Sequence, residues 1–371
     1  MLSGASLRAA LLITSSWLIA SAASVGYAHM AVSTASLRSL TAEADLVIRA
    51  RIIEPDTWVG VDGARETQES ILRVRILEVL KGQGIVGKEL SFAQRGHGVA
   101  HYLPGDEALI FLRELSRSRE LHQLGSTGTL RWYSTQEHDD GCVLAPKSRR
   151  MTLEAARTYA AIEKMPADER VQALRKVTVR LLASRDLRLA TSALRDLVRA
   201  GNAPLVTEED VPALTEVVHD PRTSIGVRIG LLVELEQRGL SGGFPQWVQL
   251  LRATKGADRL AVIHAAGMQN SPAVNAELAQ ILLGPDTTAA AAAAISLGSP
   301  GNLAAVPPLS KALGSSDTHL AMAAIRGLGA TATPEAREAL ASAAASHPDA
   351  SVRRRAQAEL RILTAHRGGS R

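Results

Sequence analysis

Leu320-Ala321-Met322-Ala323-Ala324-Ile325-Arg326-Gly327-Leu328-Gly329 decides how the second half of the chain is read. Its apolar residues recur at three- and four-residue spacing and it closes on glycine, the pattern of an amphipathic helix with its turn. The closing glycine belongs to a ladder, Gly201, Gly239, Gly267, Gly298 and Gly329, with intervals of 38, 28, 31 and 31 residues. Four residues before each glycine stand Leu197, Leu235, Ile263, Ala294 and Ile325. One helical face is thus apolar in every copy, and a period near 31 residues marks stacked repeats.

Eleven residues after the last four glycines stand Leu250, Leu278, Leu309 and Leu340, each in the middle of a second helix. Each unit therefore reads helix, glycine turn, helix. The ladder glycine is expected to end the first helix in the left-handed conformation, which costs glycine nothing. Asp286, Asp317 and Asp349 precede the next first helices, where a carboxylate accepts free backbone N–H groups and opposes the helix dipole. The run Ala289 to Ala294 reads as a helix able to approach its neighbours closely, and Ser351 to Leu363 as a capping helix.

These residues, with Asp349-Ala350-Ser351-Val352-Arg353 as the start of a unit, resemble HEAT repeats, particularly the short HEAT-like type of phycobilisome lyases. The resemblance runs from Arg185 to about Leu363. It implies an all-α solenoid whose second helices line one binding side, and it leaves activity open, since one repeat architecture serves many functions.

Upstream the period changes. Leu46 to Ile53 is rich in β-branched residues, and Leu72 to Ile76 alternates strictly, with Arg73 and Arg75 opposite the apolar side. Shorter strands are expected at Glu89 to Ala93, Glu107 to Leu112 and Leu130 to Ser134, with a short helix from Leu37 to Ala44 before them. Strands separated by glycine turns predict a small antiparallel barrel or sandwich. Ala44-Asp45-Leu46-Val47, Glu78-Val79-Leu80-Lys81-Gly82 and Pro104-Gly105-Asp106-Glu107-Ala108-Leu109-Ile110-Phe111-Leu112 resemble a β-domain of exported bacterial proteins and, distantly, OB-type or netrin-like barrels. The fold class expected is α+β in separate domains: leader 1–28, β-rich domain 29–150, linking helices 151–184 and HEAT-like solenoid 185–371.

The 371 residues are 46% apolar and 21% charged, which suits a globular chain. One cysteine, Cys142, excludes an internal disulfide framework and a thiolate zinc cluster. Arg8 is the only charge before Arg38; it precedes apolar residues Ala9 to Ala20 and then small residues at Ala20-Ser21-Ala22 and Gly26-Tyr27-Ala28. That order is a secretory signal peptide, with an uncleaved anchor over Ala9 to Ala28 as the rival. Export to the periplasm or beyond, with no membrane span in the mature chain, is the expectation. Lys and Arg balance Asp and Glu at 16 each from Ala31 to Arg150, and stand at 25 against 21 from Met151 onward. A nucleic-acid binder would show a basic stripe instead.

Chemistry motifs occur in unsuitable settings. Gly82-Gln83-Gly84-Ile85-Val86-Gly87-Lys88 fits a phosphate-loop pattern, yet Glu89 replaces the magnesium-binding hydroxyl and a strand, not a helix, is expected next. Gly239-Leu240-Ser241-Gly242-Gly243 fits G-x-S-x-G but joins two helices rather than a strand to a helix. His97, His101 and His138 offer imidazoles for a metal site, although exposed polar loops explain them more simply. No catalytic residue and no cofactor is expected, and the chain reads as a non-enzymatic interaction or scaffold protein for a protein partner in the cell envelope. The alternative is a metal-dependent or enzymatic module in the β-domain with the repeats as adaptor. Polar second-helix residues Gln246, Gln249, Glu277, Gln280 and Lys311 are the candidate partner contacts, and Trp247 is expected in the core because it lies three residues before Leu250.

Overall fold

The computed structural model describes residues 35–59, 69–95, 102–114, 131–134, 142–144, 146–200, 204–240, 245–269 and 271–368. They fall into two compact units, Met1–Gly230 and Leu231–Arg371.

The first unit begins with a short helix, α1 (Leu37–Glu43), and strands β1 (Leu46–Val59), β2 (Glu69–Lys81), β3 (Glu89–Arg95), β4 (Glu107–Glu114), β5 (Trp132–Ser134) and β6 (Cys142–Val143). β1 pairs with both β2 and β4, β2 with β3, β3 with β5 in parallel, and β5 with β4. Each of these five strands has two neighbours, so the sheet closes in the order β1-β2-β3-β5-β4-β1, and β6 adds to β4. Register shifts along β1 supply the bends that closure needs.

Alternation sorts the side chains. Leu46, Ile48, Ala50 and Ile52 join Leu72, Val74, Ile76, Phe92, Ala108, Ile110, Leu112 and Trp132 in one apolar interior. Val47, Leu109 and Phe111 have the opposite parity on their strands and are buried as well. Helices cover this wall: α1 packs on β4, and α2 (Arg149–Ile162) on β2. The polar outward positions form an Arg–Glu quilt, in which Glu107 meets Arg49, Arg51 and Arg149 while Glu78 meets Arg49 and Arg157.

Two further helices, α3 (Ala167–Leu182) and α4 (Leu187–Arg199), follow. Asp196 of α4, only 4% exposed, is the polar centre of the unit. It accepts hydrogen bonds from the Ser36 hydroxyl and from Tyr159 Oη at 3.4 Å. Burial pushes its carboxyl above the ordinary value, against the hydrogen bond from Ser36 and the charge of Arg38.

Next come α5 (Val211–His219) and α6 (Ile225–Gln237), which crosses the division between the units. The second unit continues with α7 (Pro245–Ala253), α8 (Gly256–Gly267), α9 (Pro272–Leu282), α10 (Thr287–Leu297), α11 (Val306–Leu313), α12 (Thr318–Thr331), α13 (Pro334–Ser346) and α14 (Ala350–Gly368). First helices α8, α10, α12 and α14 alternate with second helices α7, α9, α11 and α13. The expected aspartate caps are present: Asp286 accepts from Ala289 N at 3.0 Å, Asp317 from His319 N at 2.8 Å and Asp349 from Ser351 N at 2.7 Å. Thr318 Oγ1 also donates to Asp349 at 2.8 Å, joining the starts of two successive first helices.

The glycine ladder works differently from the expectation. Gly239 alone among its described members takes a positive φ, +68°. Gly267 and Gly329 lie within α8 and α12, and the left-handed cap of α12 is Ala332. These glycines serve close approach between helices. A Cβ on Gly267 would stand 2.6 Å from Ser296 Cβ, and one on Gly298 2.9 Å from Gly327 Cα. A Cβ on Gly327 would run into the Ala294 carbonyl oxygen. The poly-alanine helix α10 lies between α8 and α12, and all of Ala289 to Ala294 are buried. Small side chains let these three first helices pack backbone to backbone.

Two outcomes check this account. Gly327→Val should lower stability by about 1–3 kcal/mol or more through overpacking, whereas Gly314→Ala should change it by less than about 1 kcal/mol. Gly314 has φ −79° and an added Cβ there meets only Lys311 O, at 3.6 Å. Urea midpoints measure both. The second outcome concerns pH. Because Asp196 holds its proton more tightly folded than unfolded, its contribution is full below the ordinary value of 3.8 and is lost as pH rises through the folded value. Asp196→Asn should therefore gain stability relative to the unsubstituted chain between about pH 4 and pH 7, and urea unfolding at the two pH values reads the difference.

Candidate partner-binding surface

The second helices of the second unit each divide into a buried and an exposed side. Trp247, Leu250 and Leu251 of α7 are buried, as are Val274, Leu278, Ile281 and Leu282 of α9 and Val306, Leu309, Ala312 and Leu313 of α11. Gln249, Gln280 and Lys311 stand exposed, one per helix and 31 residues apart. Ser342 of α13 continues the column at the same interval and is also exposed. Gln280, Lys311 and Ser342 each stand two residues after the register leucines Leu278, Leu309 and Leu340, so they occupy equivalent places on successive repeats, a place held in the preceding repeat by exposed Arg252, while Gln249 lies one residue before Leu250.

The other two candidates sit differently. Glu277 is 7% exposed and accepts from Arg252 Nε at 3.0 Å and Nη2 at 2.7 Å. An ion pair between α7 and α9 occupies it, and the exposed member is Arg252. Sequence reading missed this pair, although 25 residues between an Arg and a Glu on successive second helices was a signal that could have found it. Gln246 is half-buried. Trp247 is fully buried, as its register requires. Its indole N–H approaches the Glu236 carboxylate short of full hydrogen-bond geometry, and burial pushes Glu236 above its ordinary value against that contact.

The loop Gly82 to Lys88 is a turn between strands. Gly87 N donates to Ile76 O at 2.8 Å and Ile76 N to Lys88 O at 3.0 Å, and β3 follows where a phosphate site needs a helix N-terminus. His97, His101, His138 and Ser241 lie outside the described residues. Among the described residues no group of three or more His, Cys, Asp or Glu could hold a metal ion. No helix among them is long and apolar enough to cross a membrane.

Residues 275–361 match the family HEAT repeats. The match covers α9 through most of α14 and supports the architecture read from the glycine ladder. HEAT repeats suggest a protein-interaction or scaffold role. No curated protein matches the chain. Among solved structures the chain is similar to human deoxyhypusine hydroxylase in complex with glycerol, at 17% identity over 60% of this chain and 91% of that one, with a TM-score of 0.29. The expectation that the chain is not an enzyme is therefore set aside: a solved structure to which it is similar is itself a hydroxylase, and an enzymatic role stays open. At that TM-score the likeness assigns no chemistry to this chain.

Substitutions separate ridge from core. Trp247→Ala should cost about 3–5 kcal/mol, as loss of a buried aromatic does, and Gln249→Ala or Gln280→Ala less than about 0.5 kcal/mol each. Arg252→Ala should destabilise more than either glutamine variant, since it leaves Glu277 buried without its partner. Thermal unfolding ranks the four.

Proposed function

We propose that the chain is an exported interaction or scaffold protein that binds a protein partner in the cell envelope along the second-helix ridge of its HEAT repeats. The observation that carries this reading is that Gln249, Gln280 and Lys311 stand exposed, one on each of three successive second helices, with Gln280 and Lys311 at equivalent places two residues after buried Leu278 and Leu309. Amide side chains both donate and accept, and with one lysine in three they favour a partner held by hydrogen bonds and shape. The 31-residue interval supports the short HEAT-like type of repeat. In the first unit, the ring order β1-β2-β3-β5-β4 with β3 and β5 parallel supports an OB-type barrel. Export rests on the charge-poor segment Ala9 to Ala28 with its small-residue end.

Photo-crosslinking in cells tests the ridge. A crosslinking side chain at position 280 should trap one partner that is not trapped from position 326, which is exposed on first helix α12. Combining Gln249→Ala, Gln280→Ala and Lys311→Ala should weaken capture of that same partner at least tenfold without shifting the melting temperature. Trapping of one partner equally from positions 280 and 326 would set the ridge reading aside. N-terminal sequencing of the mature protein should place its start between Ala23 and Met30, and an intact Met1 in a membrane fraction would replace export with anchoring.

A further inference from the structure

Helix α1 is held at both ends by side chains of other elements. At its start the Ser36 hydroxyl donates to Asp196, the Leu37 N–H donates to Ser192 Oγ at 2.8 Å, and Arg195 Nη1 donates to the Ala35 carbonyl at 3.1 Å. Arg199 Nη1 donates to Ser39 Oγ at 3.2 Å. All four partners come from α4, and Tyr159 of α2 shares the Asp196 carboxylate. At its end Lys81 of β2 donates to the Thr41 and Ala42 carbonyls at 2.8 and 3.0 Å and pairs with Glu163 at 2.7 Å, while Arg113 of β4 donates to the Glu43 carbonyl at 3.0 Å.

One end of this helix is therefore bonded to the helices and the other to the barrel. With seven residues it is too short to persist alone, so its order depends on those bonds and on Leu37 and Leu40 beneath it. Ser36 is also its N-cap, bonded reciprocally with Ser39, so the residue that starts the helix is the one that docks it. Loss of the dock and loss of the helix are then one event.

We propose that α1 is a latch between the barrel and helices α2 and α4, closed by the bond from Ser36 to Asp196, and that it opens as a unit while the barrel and the helices remain folded. Its buried apolar residues are confined to Leu37, Leu40 and Ala44 and both its ends are fastened by polar groups, so it is a unit small enough to open below the global unfolding free energy.

Native-state hydrogen exchange on the full chain tests this, read at the α1 amides of Leu40 and Ala44, at the β1 amides of Ile48 and Ala50, and at α12. Ser36→Ala should speed exchange at Leu40 and Ala44 together by tenfold or more and leave β1 and α12 unchanged. Ser36→Thr, which retains a hydroxyl and a capping oxygen, should restore most of the protection. Should Ser36→Ala speed β1 and α1 equally, the barrel and α1 open as one body and there is no latch. Should it leave Leu40 and Ala44 unchanged, the Ser36 bond does not close it, and the proposal is equally overturned.

Discussion

Close approach of successive first helices is the constraint on which the second unit depends. Gly327 faces the Ala294 backbone and Gly298 faces Gly327, so α10 and α12 touch where neither can carry a Cβ. This helix, with alanine at six consecutive positions, buries one large side chain, Leu297, and the rest of its stabilisation comes from the closeness of its neighbours. Packing of that kind fixes the distance between repeats. It also sets where the second helices present their outer residues, and Gln280, Lys311 and Ser342, each two residues after a buried register leucine, are its visible result.

Polar groups do a second kind of work at the ends and sides of the helices. Asp286, Asp317 and Asp349 each accept backbone N–H groups at the start of a first helix. Hydrogen bonds from Ser351 and Thr318 hold Asp349 well below the usual carboxylate range. Asp196 is the opposite case, a buried carboxylate bonded only to hydroxyls in its immediate surroundings, where burial outweighs hydrogen bonding. The same side-chain chemistry caps a helix in one place and joins barrel to helices in another, and solvent access decides which protonation state each site favours.

Much of this was legible in the sequence because periodicity survives folding. Leu250, Leu278, Leu309 and Leu340 share a register and are all fully buried, and the strict alternation of Leu72 to Ile76 lies on β2 with its apolar side inward. The role of the glycines is not legible there, because a glycine that needs positive φ and one that needs an absent Cβ look alike in sequence. Glu277 reads as a surface residue in the sequence because a single helix does not reveal that Arg252 of the preceding second helix reaches it. Barrel closure depends on pairing between β3 and β5, which have β4 between them in sequence, and strand patterns alone do not encode that pairing. The Asp196 centre joins residues 160 apart in sequence and gave no local signal.

The account's central claim is that stacking consumes the first helices and leaves the second helices free to bind. Amide hydrogen exchange with and without the crosslinked partner tests it most directly. The account predicts that the partner slows exchange in Pro245–Ala253, Pro272–Leu282 and Val306–Leu313 and leaves Gly256–Gly267, Thr287–Leu297 and Thr318–Thr331 unchanged. Slowing confined to the first helices would contradict it.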